Sequence, residues 1–200
     1  MLLVIDSVAA ACSVALIGAD GALIDERHEI VERGHAERLL PLVEELLGGR
    51  VPTGILVDCG PGSFTGVRVG LAAAHGLAIG WGIPLAGYSS TALIAAAAAR
   101  SAVTVAMAGG HGELFVQSFG GEPLAPLDDL RSLPIDAAAE VVCDDDLFGS
   151  GAAALVARRG FGQAHEALPR AADARLLPPD VRALAPRPIY GRAPDAKPMT

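Results

Sequence analysis

Residues Met1–Ile30 read MLLVIDSVAAACSVALIGADGALIDERHEI. Met1–Asp6 is a short apolar run, Cys12–Ile17 is a second, and Ala22–Ile30 is a third in which polar and apolar residues partly alternate. Between the last two stands Asp20-Gly21, a two-residue signal of the kind that closes a hairpin. The segment therefore predicts three antiparallel strands. An apolar amino-terminal run also suits a secretory leader, but no basic residue precedes this one and Asp6 lies inside it, so a strand pair is the expectation.

Outward from that segment, Ala36–Leu47 carries Leu39, Val43, Leu46 and Leu47 at helical spacing, with Glu37, Arg38, Glu44 and Glu45 on the polar face. Pro41 either opens the main helix at its first position or kinks it, because it has no amide hydrogen to donate. After the Gly48-Gly49 break, Gly54–Asp58 reads as a buried strand entering the loop Cys59-Gly-Pro-Gly-Ser-Phe-Thr-Gly66. A helix is expected over Val67–Ile79, capped by Ser63 or Thr65. Small residues line that helix in two rows, Gly66-Gly70-Ala74-Ala78 and Ala72-Gly76-Gly80. Each glycine weakens an isolated helix by about 1 kcal/mol relative to alanine, so something must pack close on both sides. Pro84–Tyr88 is then a strand and Thr91–Arg100 an alanine-rich helix. The uncharged run Val69–Ala99 is long enough to suggest a membrane span, but its glycines, Pro84 and the Ser89-Ser90-Thr91 cluster favour helix, strand and helix instead.

A second set of elements echoes the first. Val103–Met107 and Glu113–Phe119 predict another hairpin, Ala138–Cys143 a strand, Asp144-Asp145-Asp146 a solvated turn, and Ala152–Arg159 a helix. From Pro169 onward prolines leave only Arg182–Ala185 and Ile189-Tyr190 open to regular structure. The fold class is mixed α/β in two lobes, 1–100 and 101–185, with a proline-rich tail at 186–200.

Composition narrows the chemistry. The 200 residues are 52% hydrophobic and 19% charged, which excludes a disordered chain. Fourteen of the 15 basic residues are arginine, and the one lysine is Lys197. A lysine-dependent phosphate loop and Schiff-base chemistry are thereby closed. Residues 1–154 carry a net charge of −12 and residues 155–200 of +4. An acidic body is a poor nucleic-acid binder alone, since such affinity rests on neutralising phosphates. The cysteines, Cys12, Cys59 and Cys143, form no paired motif, and buried free thiols fit best.

Four residues are candidates for holding a cofactor. Ser63 and Thr65 sit where the glycine loop enters a helix, a place that suits phosphate or carboxylate and equally suits a plain hydroxyl cap. Asp6 and Ser7 end the first strand, where they position a metal-bound phosphate or cap the turn. No histidine pair lies one helical turn apart, since the position four past His35 is Leu39, so no metal site is expected.

The segments Ile5-Asp6-Ser7, Gly34-His35-Ala36-Glu37-Arg38-Leu39-Leu40-Pro41, Gly60-Pro-Gly-Ser-Phe-Thr-Gly66-Val-Arg-Val-Gly70 and the ending Pro194-Asp195-Ala-Lys197-Pro198 together resemble the TsaB (YeaZ) family. That resemblance implies an actin-like, Hsp70-like ATPase (ASKHA) fold of two lobes, each on a mixed five-stranded sheet. It implies a non-catalytic partner of TsaD in forming threonylcarbamoyladenosine beside the tRNA anticodon, with TsaE joining them in the cytoplasm. It implies no membrane contact, tRNA bound only within the complex, and a homodimer when the chain is alone. No cofactor is expected on this chain, while ATP or ADP and a metal are expected on its partners. Carried onto this sequence, the expected partner interface is Leu39, Val43, Leu46, Gly66, Val67, Gly70, Leu71 and Ala74, although the glycine rows suit packing within the lobe equally well. Ala108-Gly-Gly110 departs from the family's usual pattern, as does a shortened segment near Gly48–Thr53. The ending around Lys197 is expected to be ordered. The alternative function is a small nucleotide-binding hydrolase or phosphotransferase built on the Gly60–Gly66 loop.

Overall fold

The computed structural model describes residues 1–31 and 34–191. The ending around Lys197 lies outside them. Strands β1 (Leu2–Asp6), β2 (Ala11–Ile17) and β3 (Leu23–Ile30) form the expected antiparallel meander. Then α1 (His35–Leu47) leads to β4 (Gly54–Asp58), α2 (Phe64–Trp81) to β5 (Leu85–Tyr88), and α3 (Ser90–Ala98) closes the first lobe. Its sheet has the order β3-β2-β1-β4-β5, with β4 and β5 parallel to β1. β1 and β4 are central and apolar because both their faces are covered. Asp25, Glu26, Arg27 and Glu29 lie on the edge strand β3, where charge discourages pairing with another chain.

The period of two along the strands sorts side chains between two cores. Leu3, Ile5, Leu16, Ile55 and Val57 face α1 and α2. Val4, Ala15, Ile17 and Leu56 face α3. Pro41 lies inside α1 and does not open it; Pro41 and Glu37, whose carbonyl loses its usual donor, are both exposed.

The second lobe contains β6 (Ala102–Ala108), β7 (Glu113–Gly120), β8 (Ala125–Pro126), β9 (Arg131–Pro134), α4 (Ile135–Val141), β10 (Asp146–Phe148), α5 (Ala152–Arg159) and β11 (Gln163–His165). Its path β8-β7-β6-β10-β11 repeats the first sheet's order, antiparallel on one side of the central strand and parallel on the other. This duplication is the actin-like architecture. β9, also paired to β7, makes a sixth strand where five were expected.

Two local expectations are corrected. Ala138–Cys143 is mostly the helix α4, because the Ala137-Ala138-Ala139 run favours helix. Asp144-Asp145-Asp146 is solvated as expected, Asp144 and Asp145 being exposed, but it is no turn: it leads into β10, with Asp144 Oδ2 accepting from Thr104 Oγ1 at 2.8 Å and Asp146 Oδ1 lying 2.9 Å from His165 Nε2.

After β11 the chain returns to the first lobe. The 3-10 turn Ala171–Leu176 packs on β1, β2, β3 and α3, and the Ala171 amide donates to Ser13 Oγ at 3.0 Å. The turn Pro179–Arg182 packs on β5, and Leu184 pairs with Gly87. α3 and Ala171–Leu176 are thereby sandwiched between the sheets, sharing one core with Val4 and Leu56 of the first lobe and Val105, Phe119 and Phe148 of the second.

Candidate functional site

The glycine loop is pressed onto the turn that follows β1. Ser7 Oγ donates to the Gly66 carbonyl at 2.9 Å, and the Ser63 amide donates to the Val8 carbonyl at 2.7 Å. A β-carbon at Gly62 would overlap the Val8 carbonyl oxygen, and one at Gly66 would overlap that of Ser7. The glycines therefore permit backbone to meet backbone. Two further loop amides are engaged within the fold: Gly60 donates to Asp58 Oδ1 at 2.7 Å, and Gly66 to Ser63 Oγ at 3.3 Å. Ser63 is the cap of α2, while Thr65 lies exposed on its first turn. Ser63→Ala is expected to lower stability by about 1 kcal/mol, as loss of a cap does, measured by urea unfolding.

Asp6 and Ser7 are buried, each about 1% exposed. Asp6 Oδ1 accepts from the Val8 amide at 3.2 Å, which caps the turn. The sequence reading missed a neighbour. Asp58 ends β4 as Asp6 ends β1, and the parallel register Ile5 to Val57 sets the two side by side. Its signal was present as two apolar runs that each end in aspartate. Asp58 Oδ1 accepts from the Gly60 amide and from Ser90 Oγ, both at 2.7 Å. Burial pushes Asp6 up to about 7. It raises Asp58 as well, with the Asp6 charge adding to the effect. Tyr88, wholly buried, donates its hydroxyl to the Ile5 carbonyl at 3.3 Å, and burial raises it too.

Between the lobes lies a cleft of about 840 Å³. Residues 8–10 and 62–64 wall it on one side and 107–111 on the other, with Ile189, Tyr190 and Gly191 along its rim. Of the four cofactor candidates only Ser63 lines it; Asp6 and Ser7 serve the fold behind the wall, and Thr65 lies outside. Among the described residues its titratable lining groups are His111, Glu113 and Tyr190, with no arginine or lysine. Ala108-Gly-Gly110 forms part of this wall, and the Ala108 amide donates to Ser150 Oγ at 3.1 Å. At the rim the Arg68 guanidinium sits 3.5 Å over the Phe64 ring and its Nε donates to the Tyr190 hydroxyl at 3.3 Å. That contact and the Ile189 amide, which donates to the Cys59 carbonyl at 2.8 Å, hold the returning chain on the first lobe. Among the described residues no group of three or more histidines, cysteines or carboxylates could hold a metal ion, and no helix is long and apolar enough to cross a membrane.

The eight residues expected at a partner interface are placed together, but facing inward. Leu39, Val43, Leu46, Val67, Leu71 and Ala74 are buried in the core beneath α1 and α2, and Gly66 and Gly70 meet the Ser7 turn. Their own sheet covers them, so a partner cannot touch them without unpacking the lobe. The other small-residue row does face outward. Ala72, Gly76 and Gly80 are exposed, Ile79 beside them is 82% exposed, and a β-carbon at Gly76 or Gly80 would meet nothing within 4 Å. The Gly48–Thr53 link is pinned by Thr53 Oγ1, which donates to the Met1 carbonyl at 3.0 Å, and leaves Val51 59% exposed.

Comparison with known proteins agrees with this architecture. The family model "TsaD: tRNA N6-adenosine threonylcarbamoyltransferase" matches residues 28–133, just over half of the chain. The Escherichia coli (strain K12) tRNA threonylcarbamoyladenosine biosynthesis protein TsaB is 41% identical over 104 residues, which cover 50% of this chain and 44% of that protein. The match thus spans less than half the length of this relative. Solved structures extend the likeness over both lobes. YeaZ from Pseudomonas aeruginosa has a TM-score of 0.78 at 29% identity, covering 94% of this chain and 98% of that one. A further Pseudomonas aeruginosa structure, described as similar to peptidase YEAZ, has a TM-score of 0.81 at 28% identity, covering 96% and 99%. With the family model and the fold of both lobes in agreement, the chain belongs to the TsaD-related family, in its TsaB (YeaZ) branch.

Proposed function

We propose that this chain is a non-catalytic scaffold subunit of a bacterial complex that transfers a threonylcarbamoyl group to the adenosine next to the tRNA anticodon. It binds TsaD, stabilises the active arrangement of that subunit, and with TsaE forms the cytoplasmic assembly that engages tRNA. The observation that carries this reading is the likeness to TsaB over half of the chain and to YeaZ structures across both lobes. Two features of the chain support it. The Ser63 amide and the Ser7 hydroxyl tie the glycine loop to the turn after β1, and the acidic body suits a subunit that does not grip tRNA alone. ATP or ADP and a metal belong to the partner subunits in this account. The outward row Ala72-Gly76-Gly80 is the face offered to TsaD, since small residues let another helix approach closely. In the absence of TsaD the same face serves a homodimer, with which TsaD competes.

The hydrolase or phosphotransferase reading puts a phosphate among Asp6, Ser63 and Thr65. Isothermal titration of the chain with ATP and magnesium separates the two. The scaffold reading expects no turnover, whereas micromolar binding with turnover overturns it.

A further inference from the structure

We propose that Asp6 and Asp58 form a proton-sharing pair of carboxylic acids that pins the turn after β1, the start of the glycine loop and the first turn of α3, and that this junction loosens when the pair ionises. Both side chains are about 1% exposed. One oxygen of each is satisfied: Asp6 Oδ1 by the Val8 amide, Asp58 Oδ1 by the Gly60 amide and Ser90 Oγ. The second oxygen of each, Asp6 Oδ2 and Asp58 Oδ2, is buried with no hydrogen-bond partner among the described residues. Two aspartates that end neighbouring parallel strands, each with a buried orphan oxygen, are a costly arrangement as two carboxylates and a favourable one once they share a proton.

Among the described residues no countercharge acts on the pair. The titratable groups that feel this pair are Cys12 on β2, Cys59 after β4 and Tyr88 on β5, with Asp173 of the Ala171–Leu176 turn acting on Tyr88 as well. All are acids. From α3 the pair meets the Ser90 hydroxyl, and α2 approaches the adjoining Ser7 through Gly66 and Gly70. With Asp6 raised to about 7 and Asp58 raised also, the folded chain keeps a proton that the unfolded chain releases near its ordinary carboxylate pKa. Stability therefore falls as pH rises from about 4 towards 7, the reverse of a salt-bridged aspartate.

Asp58→Asn tests this directly. The amide keeps an oxygen for Gly60 and Ser90 and puts an N–H donor where Asp58 Oδ2 stood, so it mimics the protonated acid. In urea unfolding between pH 5 and 7, the folded-to-unfolded ratio of the wild-type chain should fall about tenfold more per pH unit than that of the variant. Infrared spectroscopy at pH 7 should show the carbonyl band of a buried undissociated carboxylic acid in the wild type and not in Asp58→Asn. Above pH 7, exchange of the Val8 and Gly60 amides should accelerate beyond its intrinsic pH dependence in the wild type alone. Parallel unfolding profiles overturn the proposal. So does millimolar magnesium or calcium raising the Tm of the wild type but not of the variant, which assigns the pair to a cation. Should Asp58→Asn not fold, the wild-type infrared band decides: its absence at pH 6 overturns the proposal.

Discussion

Gly66→Ala is expected to deprive the protein of much of its stability, although it adds a single methyl group in a helix. The added carbon would fall on the Ser7 carbonyl oxygen, and backbone on both sides leaves nothing flexible to give way. Overpacking of a tight interior costs about 3 kcal/mol at its upper range. In a chain of this size that is a drop of roughly 6–12 °C in Tm. Gly76→Ala ten residues on is the control. It lies exposed in the same helix with nothing within 4 Å of the new carbon, so alanine's helix preference should add about 0.8–1 kcal/mol. Thermal unfolding followed by circular dichroism reads both, and a Gly66→Ala protein as stable as the wild type would contradict the close-packed loop.

The second large effect concerns the partner. Gly76→Glu places a charge at the centre of the outward row while leaving the lobe intact, because the space beyond Gly76 is open. A carboxylate buried unpaired against another helix is strongly unfavourable. Pairing with TsaD should weaken at least about 100-fold, near 2.8 kcal/mol at 1.4 kcal/mol per factor of ten. Sedimentation or calorimetric titration with purified TsaD measures it, with unchanged circular dichroism as the check on folding. Glu122→Lys on the second lobe should leave the pairing intact. Gly70 is not a usable probe, since its added carbon would lie 2.7 Å from Ser7 Oγ and disturb the turn first.

The interior of the first lobe was legible in the sequence wherever periodicity was strong. The runs around β1, β2 and β4 and the leucines of α1 announced element type, although Leu39, Val43 and Leu46, expected at a partner interface, meet the lobe's own sheet. What periodicity could not tell was direction for a helix made of small residues. α2 carries two alanine and glycine rows, and nothing in their composition says which meets the sheet. The answer lies in the Ser7 turn, a contact 59 residues distant in sequence. The same limit hid the acid pair. Asp58 looks like a strand-end aspartate, and only the parallel register of β1 and β4 sets it beside Asp6. In the second lobe the elements are shorter. β8, β10 and β11 have two or three residues each, too few for a period to show, and their pairing depends on neighbours in space. The return of residues 171–191 to the first lobe was likewise invisible, because prolines mark where regular structure ends and not where the chain packs.

Reconstitution of the modification decides the central claim: purified TsaD, TsaE, a threonylcarbamoyl donor, ATP with magnesium, and unmodified tRNA, with and without this chain. The account predicts at least about tenfold more threonylcarbamoyladenosine when the chain is present, no gain with Gly76→Glu, and no product from the chain alone. Equal product without the chain, or turnover by the chain on its own, would contradict it.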